Sequence, residues 1–281
     1  MARRTPSTGV ARTRTRSGSS SRSSCRERTV VLTGAERRAV ARAITLAAHP
    51  VAPTSPNPSV GCVLLQQDTV VAEGATVPPP GPHAEVVALS RAGARARGAT
   101  AVVTLEPCAH TGRTPPCTDA LLAAGVARVV IVHADPNPVA RGGAARLAEA
   151  GVEVVGPLGA PWEGAVAGQL EGFLTVATRA RPHVTLKRAL TLDGAAVHPH
   201  RARWITGPVA RRAVHRWRAE VDAVLVGVGT VLADDPRLDV REVPLATGWA
   251  QPRPVVLDTR LRTPPTAAVV ARGPDLVAHG G

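Results

Sequence analysis

An α/β fold, with a mostly parallel or mixed sheet covered by helices on both faces, is what the sequence predicts. Three observations carry this. Short valine-rich runs recur between residues 60 and 156, stretches with helically spaced alanine and leucine lie between them, and glycine or proline marks most junctions. The chain has 281 residues, 44% of them apolar, which is enough for a packed core and suggests two domains or one large one.

Taken in order, residues 36–48 space alanine, leucine and isoleucine as a helix does, and the four prolines of "HPVAPTSPNPSVG" then force a long loop. "VGCVLL" and "TVVAEG" read as two strands joined by a turn at residues 66–68. "HAEVVALSRAG" reads as a helix closed by Gly93, "ATAVVTLE" as a strand, "CTDALLAAG" as a helix ending at Gly125, and "ARVVIVHAD" as the next strand. "PVARGGAARLAEAG" predicts a further helix and "VEVVG" the last strand of this region. Residues 161–180 predict one helix that packs back or links. "RPHVTLKRALTLDG" predicts the strand that opens a second α/β unit near Pro182, to which "VDAVLVGVGTVLADDP" and "PRPVVLDTR" add two more. The boundaries read this way are a tail over 1–34, a first domain over 35–158, and a linker helix with a second, partial domain over 159–281.

The formal net charge of +13 is unevenly spread. Residues 1–28 hold eight arginines against one acid, Glu27, with serine and threonine between them and few apolar groups. Such a segment cannot bury enough surface to offset its ordering entropy. It reads as a disordered tail rather than a nucleic-acid arm, and an acid-poor Arg/Ser start also fits an organellar transit peptide. Four cysteines, Cys25, Cys62, Cys108 and Cys117, are too few for a disulfide scaffold, and no run of 18 or more apolar residues occurs. The expectation is a soluble, cytoplasmic protein of a reducing compartment with no membrane partner.

The chemistry lies in "PHAE", residues 82–85, and "LEPCAHTGRTPPCTDA", residues 105–120. Two cysteines nine positions apart could form a bridge, a redox pair or two arms of a metal site. His83 tips the balance, because one imidazole and two thiols are a ligand set for a catalytic zinc that keeps a fourth position for water. Both contributing segments open helices, whose positive ends favour thiolate over thiol. Glu85, two residues past His83, is close enough to carry protons without binding the metal. The pattern departs from the H-x-E with P-C-x-x-C signature of zinc deaminases in one respect: eight residues, "AHTGRTPP", separate the cysteines. Cys62, inside an apolar strand, reads as core.

That longer loop, with "SPNPSVGCVLL", "GPHAEVVAL", "ATAVVTLEPCAHTGRTPPCTDALLAAGV" and "ADPNPVARGGAARLAEAGVEV", resembles the pyrimidine deaminase half of the bifunctional riboflavin-biosynthesis deaminase/reductase family, over about residues 36–156. The resemblance implies a cytidine-deaminase-like α/β/α sandwich followed by a partial dihydrofolate-reductase-like α/β domain. It implies that His83, Cys108 and Cys117 hold Zn2+, that Glu85 is the catalytic proton donor, and that Asn57, His110, Asp135 and Asn137 line the substrate pocket. The implied substrate is a small molecule, a diamino-pyrimidinone carrying a ribosylamino phosphate, which would lose an exocyclic amine by hydrolysis. Arg113 is a candidate for the phosphate, since a guanidinium forks onto phosphate oxygens. Asn57 and Asn137 also sit in "PNP" turns, where asparagine serves the backbone, and a loop histidine such as His110 also serves as a local hydrogen-bonding group.

"TLKRALTLDG", "RWITGP", "VDAVLVGVGTVLADDPRLDVR" and "RPVVLDTR" resemble the reductase half of the same family. By that resemblance Lys187, Trp204, Thr230, Asp234 and Thr259 contact NADPH, and Arg218, Leu238 and Arg241 contact substrate. Ala202 stands where the family has a small hydroxyl residue, "AAVHPHRA" replaces its small and acidic loop, and no Glu-Gly-Gly stretch occurs before Gly281. The expectation is a complete deaminase beside a truncated reductase that is inactive on its own, in a chain that self-associates as the family tends to. Two other classes compete. One is a nucleic-acid base deaminase, against which stand the C-x8-C loop and the lack of stacking aromatics, with no tyrosine and one phenylalanine, so no nucleic-acid partner is expected. The other is a non-catalytic remnant.

Overall fold

Helix α1, Gly34–Ala48, opens on a capping box. Thr33 Oγ1 accepts the Glu36 N–H at 3.1 Å, and Glu36 Oε2 accepts the Thr33 N–H at 2.8 Å. The other oxygen of Glu36 accepts from Arg128 Nε at 2.7 Å, and Arg128 also pairs with Glu153, so one guanidinium fastens the start of α1 to two strand starts. The computed structural model describes residues 31–48, 54–112, 114–196, 204–245, 249–273 and 275–277. The basic segment 1–28, Arg113 and Ala202 lie outside the described residues.

Five strands follow: β1 Gly61–Gln66, β2 Thr69–Ala75, β3 Thr100–Leu105, β4 Arg128–His133 and β5 Glu153–Val155. They form a sheet of order β2-β1-β3-β4-β5, with β1 antiparallel to both neighbours and β3, β4 and β5 parallel. Helices α2 Ala84–Ala92, α3 Cys117–Ala123 and α4 Gly143–Glu149 pack on one face, and α1 with α5, Trp162–Gln169, on the other. Cover on both faces explains why β1, β3 and β4 are near-continuous apolar runs rather than alternating ones. The mixed sheet between helices is the architecture the sequence predicts.

Three details of this region differ from the sequence reading. Helix α4 begins at Gly143 and not at residue 138, because Asn137 Oδ1 takes the Val139 N–H at 3.1 Å and Gly142 turns left-handed at φ 99°. The helix expected over 161–180 is two, α5 and α6, Glu171–Arg179, which part at Leu170. Both pack back on the first sheet: Val166 and Leu170 are buried in its core, Phe173 and Leu174 lean against it, and Gln169 Nε2 donates to the Ile44 carbonyl at 3.1 Å. At the other end Leu32 is buried in the same core, although the sequence places it in the tail.

The strand expected after Pro182 does not form. The segment is irregular, and Val184 and Leu186 are 76% and 80% exposed, so its alternating apolar residues have no ladder to join. A second, three-stranded parallel sheet comprises β6 Ala223–Gly227, β7 Arg253–Leu257 and β8 Asp275–Val277, in that order. Helices α7, Pro208–Arg218, and α8, Val228–Asp234, accompany it; α7 and β8 were not anticipated, and the strand expected over "VDAVLVGVGTVLADDP" stops at Gly227, where α8 takes over. Its core is small, centred on Val228, Val231, Leu238, Val256, Ala267 and Val269.

Candidate active site and metal centre

His83 is the residue that caps helix α2, with extended backbone at φ −72° and ψ 162°, and Glu85 follows in the first turn. Cys108 lies three residues past β3, and Cys117 is the first residue of α3. The fold brings these segments to one end of the sheet, so that the ligand atoms of His83, Cys108 and Cys117 all lie within 4.8 Å of one another. His83 Nδ1 is 3.2 Å from Cys117 Sγ and 3.8 Å from Cys108 Sγ. Tetrahedral zinc, with Zn–S about 2.3 Å and Zn–N about 2.0–2.1 Å, spaces its ligand atoms by roughly 3.5–3.8 Å. The donor set fits zinc, the two His83–sulfur distances lie within a few tenths of an ångström of that spacing, and both thiols are free of disulfides.

Electrostatics favour the thiolate at Cys108 and the neutral thiol at Cys117. The Cys117 thiol, and beyond it His83 and the Cys117 backbone N–H at 3.3 Å, hold the Cys108 thiol well below its usual range against the effect of burial. Cys117 is pushed up by its bond to Cys108, by burial and by the nearby Glu85 charge. Glu85 is buried, at 3% exposure, and that burial raises its carboxyl above the ordinary value.

In front of this cluster lies a cavity of about 310 Å³. Asn57, His83, Glu85, Cys108, His110, Asp135 and Asn137 all line it, so the four pocket positions suggested by resemblance share one space with the metal cluster. His110 Nδ1 is buried with no hydrogen-bond partner among the described residues. Asp135 Oδ1 accepts the Asn137 N–H at 2.9 Å, and burial raises its carboxyl above its ordinary value. Sequence reasoning missed Glu106 and Phe173, which line the same cavity. Phe173 carried a signal in being the only phenylalanine of the chain; Glu106 stood unremarked beside Pro107.

Two family models match, the cytidine and deoxycytidylate deaminase zinc-binding region over residues 34–133 and the RibD C-terminal domain over residues 182–279. The solved RibD of Acinetobacter baumannii is 44% identical with a TM-score of 0.77, covering 84% of this chain and 67% of that one. The chain belongs to the RibD family. A Thermotoga maritima structure described as a diaminohydroxyphosphoribosylaminopyrimidine deaminase/5-amino-6-(5-phosphoribosylamino)uracil reductase is 38% identical, with a TM-score of 0.77, covering 86% of this chain and 68% of that one. The riboflavin biosynthesis protein RibD of Aquifex aeolicus is 46% identical over 231 residues, 81% of this chain and 63% of its own length. That of Escherichia coli is 45% identical over 246 residues, 82% of this chain and 65% of its own length. The chain thus spans just under two thirds of the length of these two RibD proteins.

Within the RibD C-terminal match, Thr230 and Asp234 lie on α8, which starts where β6 ends, and Thr259 follows β7. All three are exposed at the carboxyl edge of the parallel sheet. Trp204 precedes α7, with the Arg211 guanidinium 4.8 Å from its ring centre, and Lys187 is exposed in the irregular segment after Pro182. Arg218, Leu238 and Arg241 meet around one loop. Arg218 Nη1 donates to the Asp239 carbonyl at 3.1 Å, Arg241 Nη1 to Asp239 Oδ1 at 2.5 Å, and the Arg241 N–H to His215 Nδ1 at 3.3 Å. Leu238 is buried, in the left-handed region at φ 52°. Among the described residues, no helix is long and apolar enough to cross a membrane.

Proposed function

We propose that the chain is a zinc-dependent hydrolytic deaminase acting on a diamino-pyrimidinone ribosylamino phosphate, the deamination step of riboflavin biosynthesis. The observation that carries this reading is the buried Glu85 beside the His83, Cys108 and Cys117 cluster at the wall of one cavity. His83, Cys108 and Cys117 would hold the zinc. When bound, zinc supplies the Lewis acidity that makes water a nucleophile near neutral pH.

Glu85 takes a proton from the attacking water and returns it to the ring nitrogen and the departing amine, so that a C–N bond is exchanged for a carbonyl and ammonia leaves. Its burial keeps bulk water from competing for that proton. Asn57, His110, Asp135 and Asn137 orient the pyrimidine, with the His110 Nδ1 free to bond it. Phe173 supplies an apolar wall from α6. The functional deaminase module accordingly runs from Leu32 through α6, and the second module begins near Pro182. In that module Thr230, Asp234 and Thr259 sit where parallel α/β sheets bind nucleotides; with Trp204 and Lys187 they would hold NADPH, and Arg218, Leu238 and Arg241 the ribosyl phosphate. The reaction takes place in the cytoplasm on a small-molecule substrate.

The test is ammonia release from the diamino-pyrimidinone phosphate by the purified chain, with and without NADPH. Zinc-dependent ammonia release supports the deaminase; a zinc-loaded chain that releases none contradicts it. Consumption of NADPH tests the second module separately.

A further inference from the structure

We infer that Glu106 is a positioning residue for the proposed deamination: its carboxylate ties the 135–142 loop, which carries Asp135 and Asn137, to the strand end that carries Cys108. The inference rests on the deaminase reading of the site.

Glu106 follows β3 directly and stands two residues before Cys108. Its two oxygens take three backbone donors from the 135–144 segment. Oε2 accepts the Asp135 N–H at 3.2 Å, where the loop begins, while Oε1 accepts the N–H groups of Gly142 and Ala144 at 3.1 and 3.0 Å, where it ends. One side chain therefore grips both ends of the loop. Between them the loop is shaped by its own bonds: Asp135 Oδ1 takes the Asn137 N–H and Asn137 Oδ1 the Val139 N–H.

A second contact holds the far end against the same strand end. A Cβ built on Gly143 would stand 1.8 Å from the Pro107 carbonyl oxygen, so the start of α4 touches the backbone beside Cys108 and accepts only glycine. The Ala109 N–H donates to the Ala140 carbonyl at 3.1 Å. With the two backbones fixed at this separation, the donors facing Glu106 are all N–H groups. A carboxylate satisfies them at both of its oxygens. A glutamine would satisfy one end and turn an NH2 group toward donors at the other.

Glu106 thus acts through Asp135 and Asn137 rather than on the metal or the reacting carbon. Those two residues face the substrate before and during the reaction alike, so losing their placement weakens binding more than turnover. For Glu106→Gln in the full zinc-loaded chain, KM for the diamino-pyrimidinone phosphate should rise about tenfold while kcat changes less than about threefold. Zinc content should stay at the wild-type level, and exchange of the amide hydrogens of Asp135, Gly142 and Ala144 should quicken while that of Val130 and Ile131 in β4 holds.

An unchanged KM with those amides still protected overturns the inference, as does a fall in kcat at unchanged KM, which would put Glu106 at the reacting atoms. Loss of zinc together with fast exchange throughout β3 and β4 would mark a general structural role and also overturn it. Should the variant fail to fold, the wild-type chain decides: protected amides at Asp135, Gly142 and Ala144 support the clamp, and freely exchanging ones refute it. A wild-type chain that releases no ammonia sinks the deaminase reading by itself, and the exchange measurement on Glu106→Gln still reports on the clamp.

Discussion

Strand β4 of the first sheet buries Val129, Val130, Ile131 and Val132, whereas β6 of the second, also valine-rich, buries none of its five residues and leaves Leu225 57% exposed. The two strands have similar compositions; what differs is what covers them. Helices lie on both faces of the first sheet, and α5 and α6 return after β5 to add to its core. The chemistry follows the packing. In the first region three ligand atoms converge within 4.8 Å and a carboxyl is sealed beside them, while in the second Thr230, Asp234 and Thr259 stand exposed along a sheet edge. A site can be held to the tolerance that chemistry needs only where the elements bearing it are themselves fixed by packing.

The largest effect expected falls on the sealed carboxyl. Glu85→Gln keeps shape and leaves the zinc ligands in place but cannot carry a proton, so ammonia release should drop by about 10²–10⁴-fold with zinc content unchanged. Normal turnover by that variant would remove Glu85 from the mechanism.

Core substitutions sharpen the comparison between the sheets. Leu121 on α3 is fully buried, and Leu121→Ala should cost about 2–5 kcal/mol in denaturant unfolding. Leu225→Ala on β6 should shift stability by no more than about 0.5 kcal/mol, because more than half of that residue's surface is already in water. Equal costs would mean that the second sheet is covered in solution.

The smallest effect is an exposed pair on the first sheet. Arg42 donates to both oxygens of Glu73 at 2.8 and 2.7 Å, and that bond holds the Glu73 carboxyl below its ordinary value near 4.5. A carboxyl lowered in the folded state contributes stability that is fully present above the ordinary value and is lost as pH falls through the lower, folded one. Arg42→Ala should flatten this part of the acid limb of the stability curve and leave stability at neutral pH nearly unchanged by comparison with Leu121→Ala; an unaltered acid limb would show the pair contributes nothing.

Much of the first region was legible because its signals are local. Buried strands announce themselves as apolar runs between glycines and prolines, and histidine with two cysteines is a rare enough set that its chemistry survives the unusual spacing of the "AHTGRTPP" loop. The misreadings share a physical cause. The alternating residues after Pro182 say what a strand would look like if a partner were present, and no partner pairs with them among the described residues. The break at Leu170 and the return of Phe173 to the cavity depend on a core assembled from strands far away in sequence. Glu106 is the sharpest case: its three donors lie 29, 36 and 38 residues downstream, and no local pattern marks a carboxylate whose partners are backbone amides.

The measurement that bears most directly on the account is zinc-edge X-ray absorption on the purified chain, with metal content determined on the same sample. The account predicts one zinc per chain, coordinated by two sulfurs at about 2.3 Å, one imidazole nitrogen and one oxygen. A chain that retains no zinc, or a coordination shell with fewer or more than two sulfurs, would contradict it.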